Sequence, residues 1–199
     1  ISGADITLTP GTIAGAVLGH NSAAPGPGDI NITATGNITM DPVGASGGTA
    51  QINTQGNVTL HADTGAKLIS QSASAVITAN TLTATANAGI NLAGTANAVS
   101  SFSATNAASG NISLVNTGAL DIAAGNVTNN ATGGNITLNN SGTVTETGGI
   151  ITTASGGLEL LGTGTYQLTN GATNDVGSLA AALAGTATPL QYFDRNAVN

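Results

Sequence analysis

The chain has 199 residues, enough for one or two ordinary domains, with 29 Gly, a formal charge of −7 and only two cations, Lys67 and Arg195. Two cations cannot assemble the basic patch that nucleic acid or an anionic membrane surface requires, so neither is expected as a partner. With no cysteine there are no disulfides and no thiolate metal sites, and no apolar run approaches the eighteen or so residues that span a bilayer.

Along the chain one short pattern recurs: Gly, then Asn or Asp, a branched apolar residue, a small polar residue and a second apolar residue. After an opening GADITL at 3–8, the stretch PGTIAGAVLGHNSAAPGP at 10–27 departs from the pattern, and its Pro and Gly mark a protruding loop. The pattern then reads GDINI at 28–32, GNITM at 36–40, GNVTL at 56–60, GNISL at 110–114 and GNITL at 134–138. Looser copies are GAKLI at 65–69, AGINL at 88–92, GALDI at 118–122, GTVTE at 142–146, GGLEL at 156–160 and GTYQL at 164–168. A less regular part follows at 171–195, where Val176, Leu179, Ala180 and Leu183 are spaced for a short helix or a bulged loop.

Within each copy the apolar residues alternate, as in Ile112 and Leu114 or Ile136 and Leu138. Period two puts both on one face of a strand and turns the residue between them to the other. Gly-Asn and Gly-Asp mark the bends. An antiparallel sandwich of short strands is the competing architecture. The even recurrence, with the best registered similarities returning after 20 to 24 residues, favours stacked coils. The expected fold is all-β: a right-handed parallel β-helix of about nine coils, each of roughly 22 residues with three short strands, filling 1–199 as a single segment. At about 4.8 Å per coil the rod is on the order of 43 Å long. Apolar side chains are expected inside, with Thr, Ser and Asn outside or at corners.

Eight Asn-x-Ser/Thr triplets place candidate glycosylation acceptors at Asn31, Asn37, Asn57, Asn111, Asn126, Asn130, Asn135 and Asn139. The repeat generates such triplets by itself, because Asn suits bends and Thr suits strands. Thr-x-Thr pairs are frequent, and a flat array of them would order water, but they are not spaced at one coil length. Nine acids are scattered without an Asp-x-Asp pair, and only Asp41 and Asp63 lie loosely one coil apart. His20 and His61 lack metal-ligand spacing, and the Gly-Gly pairs lack the Asp of calcium-binding repeats. No enzyme activity, cofactor or metal is therefore expected. Loops on rigid scaffolds commonly carry binding, which makes His20, Asn21, Pro25 and Pro27 a candidate binding loop.

The run of GNITL-type units, poor in Lys and free of Cys, resembles the large secreted adhesins of Gram-negative bacteria: filamentous-haemagglutinin-like exoproteins of two-partner secretion and related autotransporter passengers. The segment 163–198 is similar to another recurring piece of such proteins, matching at Tyr166, Leu168, Thr169, Asn174, Asp175, Val176, Leu179, Ala180, Tyr192, Phe193 and Asp194. The resemblance implies an interior repeat segment at the bacterial cell surface. Its implied partners are an outer-membrane secretion protein, adjacent repeats of its own chain, and a host or neighbouring cell. A self-associating extracellular filament is the second expectation, and an ice- or carbohydrate-binding module the third.

Overall fold

A single copy of the repeat makes a strand with one apolar face and nothing to cover it, so copies must stack. In the computed structural model, residues 1–9, 16–19, 26–41, 48–62, 65–123, 125–170, 174–184, 189–196 and 198 are described. Among these there is no helix, and every paired strand lies parallel to its partner.

Each coil visits three faces in turn. The first face is an eight-stranded sheet of Ile6–Leu8, Ile38–Met40, Ile69–Gln71, Ile90–Leu92, Ile112–Asn116, Ile136–Asn140, Gly157–Gly162 and Ser178–Leu183. The second and third faces form one thirteen-stranded sheet, because Val76–Ala86 and Ala98–Asn106 each run around the corner between them. Ala16–Gly19, Ala50–Asn53, Leu120–Asp121, Val144–Thr145, Tyr166–Leu168 and Leu190–Tyr192 complete the second face. Ser2–Gly3, Ile30–Ala34, Asn57–Ala62, Val127–Asn129 and Ile151–Thr153 complete the third, which continues through single bridges at Asp175 and Asp194. The fold is thus the parallel β-helix that the repeat predicts.

Coil length departs from expectation at one end only. Ile69, Ile90, Ile112, Ile136, Leu158 and Leu179 stack in register, so these coils take 21 to 24 residues. Ile6, Ile38 and Ile69 stack likewise, so the first two coils take 32 and 31. The longer connections leave fewer coils than nine, and the eight-stranded face is about 34 Å tall. A second departure is Ser178–Leu183, a strand paired with Gly157–Gly162 rather than a helix or bulge. Parallel pairing to a preformed edge there overrides local apolar spacing.

The core is a set of columns. Ile32, Leu60, Ala84, Ala104, Val127 and Ile151 form one, and Val58, Leu82 and Phe102 form its neighbour. Phe102 sits beside the two alanines, so its bulk fills the space that their small side chains leave. Tyr166 is fully buried; its hydroxyl lies 2.8 Å from the carbonyl oxygens of Leu138 and Leu161, to which it donates, and accepts the Asn140 N–H. Burial pushes its hydroxyl up to about 12.

Polar side chains also point inward. Asn97, Asn106, Asn116, Asn129, Asn140 and Asn174 are all buried, which corrects the expectation that Asn stays at corners or outside. They are satisfied by one another and by the turns they close. Asn106 Nδ2 donates to Asn129 Oδ1 at 2.9 Å and to the Ser109 carbonyl, and Asn116 Nδ2 donates to Asn140 Oδ1 at 3.0 Å. Asn97 and Gln71 bond through both ends of their amides, at 2.7 and 3.0 Å. A carboxamide carries donor and acceptor together, so one amide can stack on another with no group left over.

Asn129 tests this ladder. Its Nδ2 binds the Gly110 and Asn135 carbonyls, and its Oδ1 accepts from Asn106 and the Ala131 N–H. Asn129→Ala strands these groups and should cost about 3 kcal/mol in denaturant unfolding, whereas Thr105→Ala on the outer surface should change it by less than about 0.5 kcal/mol.

Candidate functional site

Stacking in register writes columns on the outside as well as the inside. On the third face, Thr33, His61, Thr85, Thr105, Thr128 and Thr152 form one outward column, and Asn31, Thr59, Thr83 and Ser103 run beside it. Hydroxyls bond from coil to coil: Ser103 Oγ donates to Thr83 Oγ1 at 3.1 Å and Thr152 Oγ1 to Thr128 Oγ1 at 3.2 Å. Over six coils, from Thr33 to Thr152, the face presents hydroxyl, amide and imidazole groups, and the first acid met in the column is Asp175, bridged to Thr152. Among the described residues the Thr-x-Thr pairs are distributed over all three faces, as their uneven spacing implies.

The Gly-Asn signature has a separate task at the corners. A Cβ on Gly134 would lie 2.6 Å from the Gly110 oxygen, and one on Gly156 would lie 2.0 Å from the Gly134 oxygen. The coils touch backbone to backbone there, and only Gly fits. The next residue bridges the same coils with its side chain. Asn111 Oδ1 accepts the Asn135 N–H at 2.9 Å, and Asn135 Oδ1 accepts the Gly157 N–H at 2.8 Å. Asp5 does this for Asn37 and Asp29 for Asn57, while Asn37 serves Leu68 and Asn126 serves Ile150.

The triplet asparagines therefore divide by position. Asn37, Asn111, Asn126 and Asn135 have their carboxamide oxygens engaged in this ladder. Asn31, Asn57 and Asn130 are exposed, and Asn139 is half-buried on the outer side of the first face. Asn111 and Asn135 are neighbours at one corner. In the candidate binding loop, His20, Asn21 and Pro25 lie outside the described residues; Pro27 is an exposed bend residue.

Two of the acids bond hydroxyls of an adjoining coil. Asp121 accepts from Thr145 Oγ1 and both the N–H and hydroxyl of Thr147, and Glu159 accepts from Thr137 Oγ1. Glu159 and Thr137 line a shallow open depression with Asn111, Asn135 and Ser178. Asp63 lies outside the described residues, so its relation to Asp41 is not described. Among the described residues no three His, Asp or Glu side chains converge as metal ligands.

One polar residue escaped the sequence reading. Glu146 is 7% exposed, with Oε2 accepting from the Asn170 N–H and Asn174 Nδ2, both at 3.0 Å. Burial holds its carboxyl above the usual range; the two hydrogen bonds oppose the shift and the nearby Asp121 charge adds to it. The signal was present in GTVTE, where Glu occupies the slot of the second apolar residue.

The corner ladder makes a graded prediction. Asn111→Asp keeps the acceptor, as Asp5 and Asp29 do naturally, and should stay within about 0.5 kcal/mol of the parent. Asn111→Ala leaves the Asn135 N–H without it and should lower unfolding free energy by about 1 kcal/mol. Equilibrium denaturation of both variants checks the pair.

No family model, no curated protein and no solved structure matches this chain. The β-solenoid rests on its own strand pairing, and that fold is compatible with a repeat adhesin.

Proposed function

We propose that the chain is a stalk segment of a large secreted bacterial surface protein of the filamentous-haemagglutinin-like or autotransporter kind. It acts outside the cell and carries no catalytic activity. Its role is to hold a binding region away from the surface, or to make weak multivalent contacts along its length. The observation that carries this reading is the third face: registered columns of hydroxyl and amide groups, with the imidazole of His61, on a scaffold stacked in register. Such a face approaches another acidic surface with little repulsion and offers many equivalent hydrogen-bonding groups. The partners of this reading are a host or neighbouring cell, further repeats of the same chain and an outer-membrane secretion protein.

Beads coated with the protein should adhere to epithelial or bacterial cells more than uncoated beads. Thr33→Glu combined with Thr105→Glu puts charge on exposed positions of one column, three coils apart, and should reduce multivalent adhesion on the order of tenfold with the circular dichroism unchanged. Equal adhesion of parent and double variant would overturn the assignment to this face. Mass that grows with concentration in sedimentation would instead favour a self-associating filament.

A further inference from the structure

Glu146 occupies a place built for an apolar side chain. It follows Val144 by two residues on the second face, where Leu120, Val144 and Tyr166 stack. Extending that register sets Glu146 between Ile122 and Leu168, both fully buried. A carboxyl group in such a column is costly unless both oxygens are bonded or the group is neutral. Oε2 has two donors; Oε1 is buried and has no hydrogen-bond partner.

The two donors belong to the segment that leads into the last coil. Asn174 passes the contact onward, its Oδ1 accepting the Ile151 N–H at 2.7 Å. Asn170 Nδ2 reaches the Gly149 carbonyl at 3.1 Å. Beyond them the chain bridges Asp175 to Thr152 and enters Ser178–Leu183. Glu146 is thus an interior anchor for Asn170 and Asn174. The titratable groups that act on it are Asp121 on the coil below and Tyr192 above, and Tyr192 in turn faces Asp175 and Asp194. Tyr192 donates to Asp194 at 2.5 Å, and no cation is among these groups.

We infer that Glu146 is a proton-operated latch on the last coil: while neutral, its carboxyl sits in the apolar column with Asn170 and Asn174 docked on Oε2, and ionisation leaves a buried charge without a counter-charge, which favours undocking of Asn170 and of residues 174–184 so that the carboxylate reaches water. The proton goes to Oε1 because Oε2 already accepts two N–H groups. Asp121 below opposes ionisation, and the apolar column offers no counter-charge. The sign follows from a carboxyl whose folded value is raised. Its contribution is fully present below the ordinary glutamate range and is lost as pH rises through the folded value. The latch is closed in acid and open in alkali, the reverse of a salt-bridged carboxylate.

Hydrogen exchange of the full chain at pH 5 and pH 8, corrected for intrinsic exchange chemistry, tests this directly. Protection of the Ile151, Asn170, Asp175 and Gly177 amides should fall by up to about tenfold for each pH unit between the ordinary glutamate value and the raised folded value and level off above it, while Ile112 and Val127 in the central coils stay unchanged. Glu146→Gln supplies a neutral isostere, and its end-coil protection should be flat with pH. Carboxyl carbon NMR of the unmutated protein should place the Glu146 titration above that of an ordinary glutamate, and Asp121→Asn should bring it down. PH-independent protection in the parent, the same fall in Glu146→Gln, or a Glu146 carboxyl titrating in the ordinary range would each overturn the latch.

Discussion

Parallel stacking in register is the constraint from which the rest follows. Every residue lies about 4.8 Å from its equivalents in the coils above and below. A position therefore has to suit its own repetition. Apolar side chains and hydroxyls tolerate this well, and carboxamides gain from it. Like charges do not: two stacked carboxylates at that distance repel by about 1 kcal/mol even in water, and by more where water is excluded. Four acids are accordingly set against neutral donors in the adjoining coil: Asp5 against Asn37, Asp29 against Asn57, Asp121 against Thr145 and Glu159 against Thr137. A charged content of 6% is a consequence of the fold before it is a statement about partners.

The same constraint explains why Asn appears in two unrelated roles. At the corners its side-chain oxygen takes a backbone N–H of the next coil, beside a Gly that lets the two backbones meet. Inside, its amide bonds the next amide and the carbonyls of its own turn. The column Ala34, Ala62, Ala86, Asn106, Asn129 shows the change within a single stack. Alanine fills that position in the first three coils. Asparagine takes it where the Ser109, Gly110 and Asn135 carbonyls point inward and need donors.

Period two in the apolar residues made the strands and the coil legible, since Ile112-x-Leu114 and Ile136-x-Leu138 fall in register in the structure. The interior amides were legible in principle. Phe102-x-Ala104-x-Asn106 and Ile112-x-Leu114-x-Asn116 continue the inward period by one step, but Asn is so strongly a turn residue that the step reads as a bend. Coil length at the start was hidden, because connections between strands add residues without altering the strands themselves. Ser178–Leu183 was ambiguous because Leu179 and Leu183 fit a helical spacing locally, and only the waiting edge of Gly157–Gly162 decides for strand. The outward columns could not be read from any one segment. They exist only once the register between coils is known, and Thr85 has no more information in its own strand than any other threonine.

A solenoid couples each coil mainly to its two neighbours, so a local defect is felt locally. This makes the placement of Glu146 consequential. In a globular core a half-bonded carboxyl would weaken the whole cooperative unit. In a stack it weakens the coils that share its columns and leaves the central ones held by their own ladders. Titration can then act on one end of the rod while the outward columns of the third face keep their spacing. The segment can thus combine a rigid, chemically uniform surface with an end coil whose attachment depends on pH, because nearest-neighbour stacking keeps the two properties physically separate.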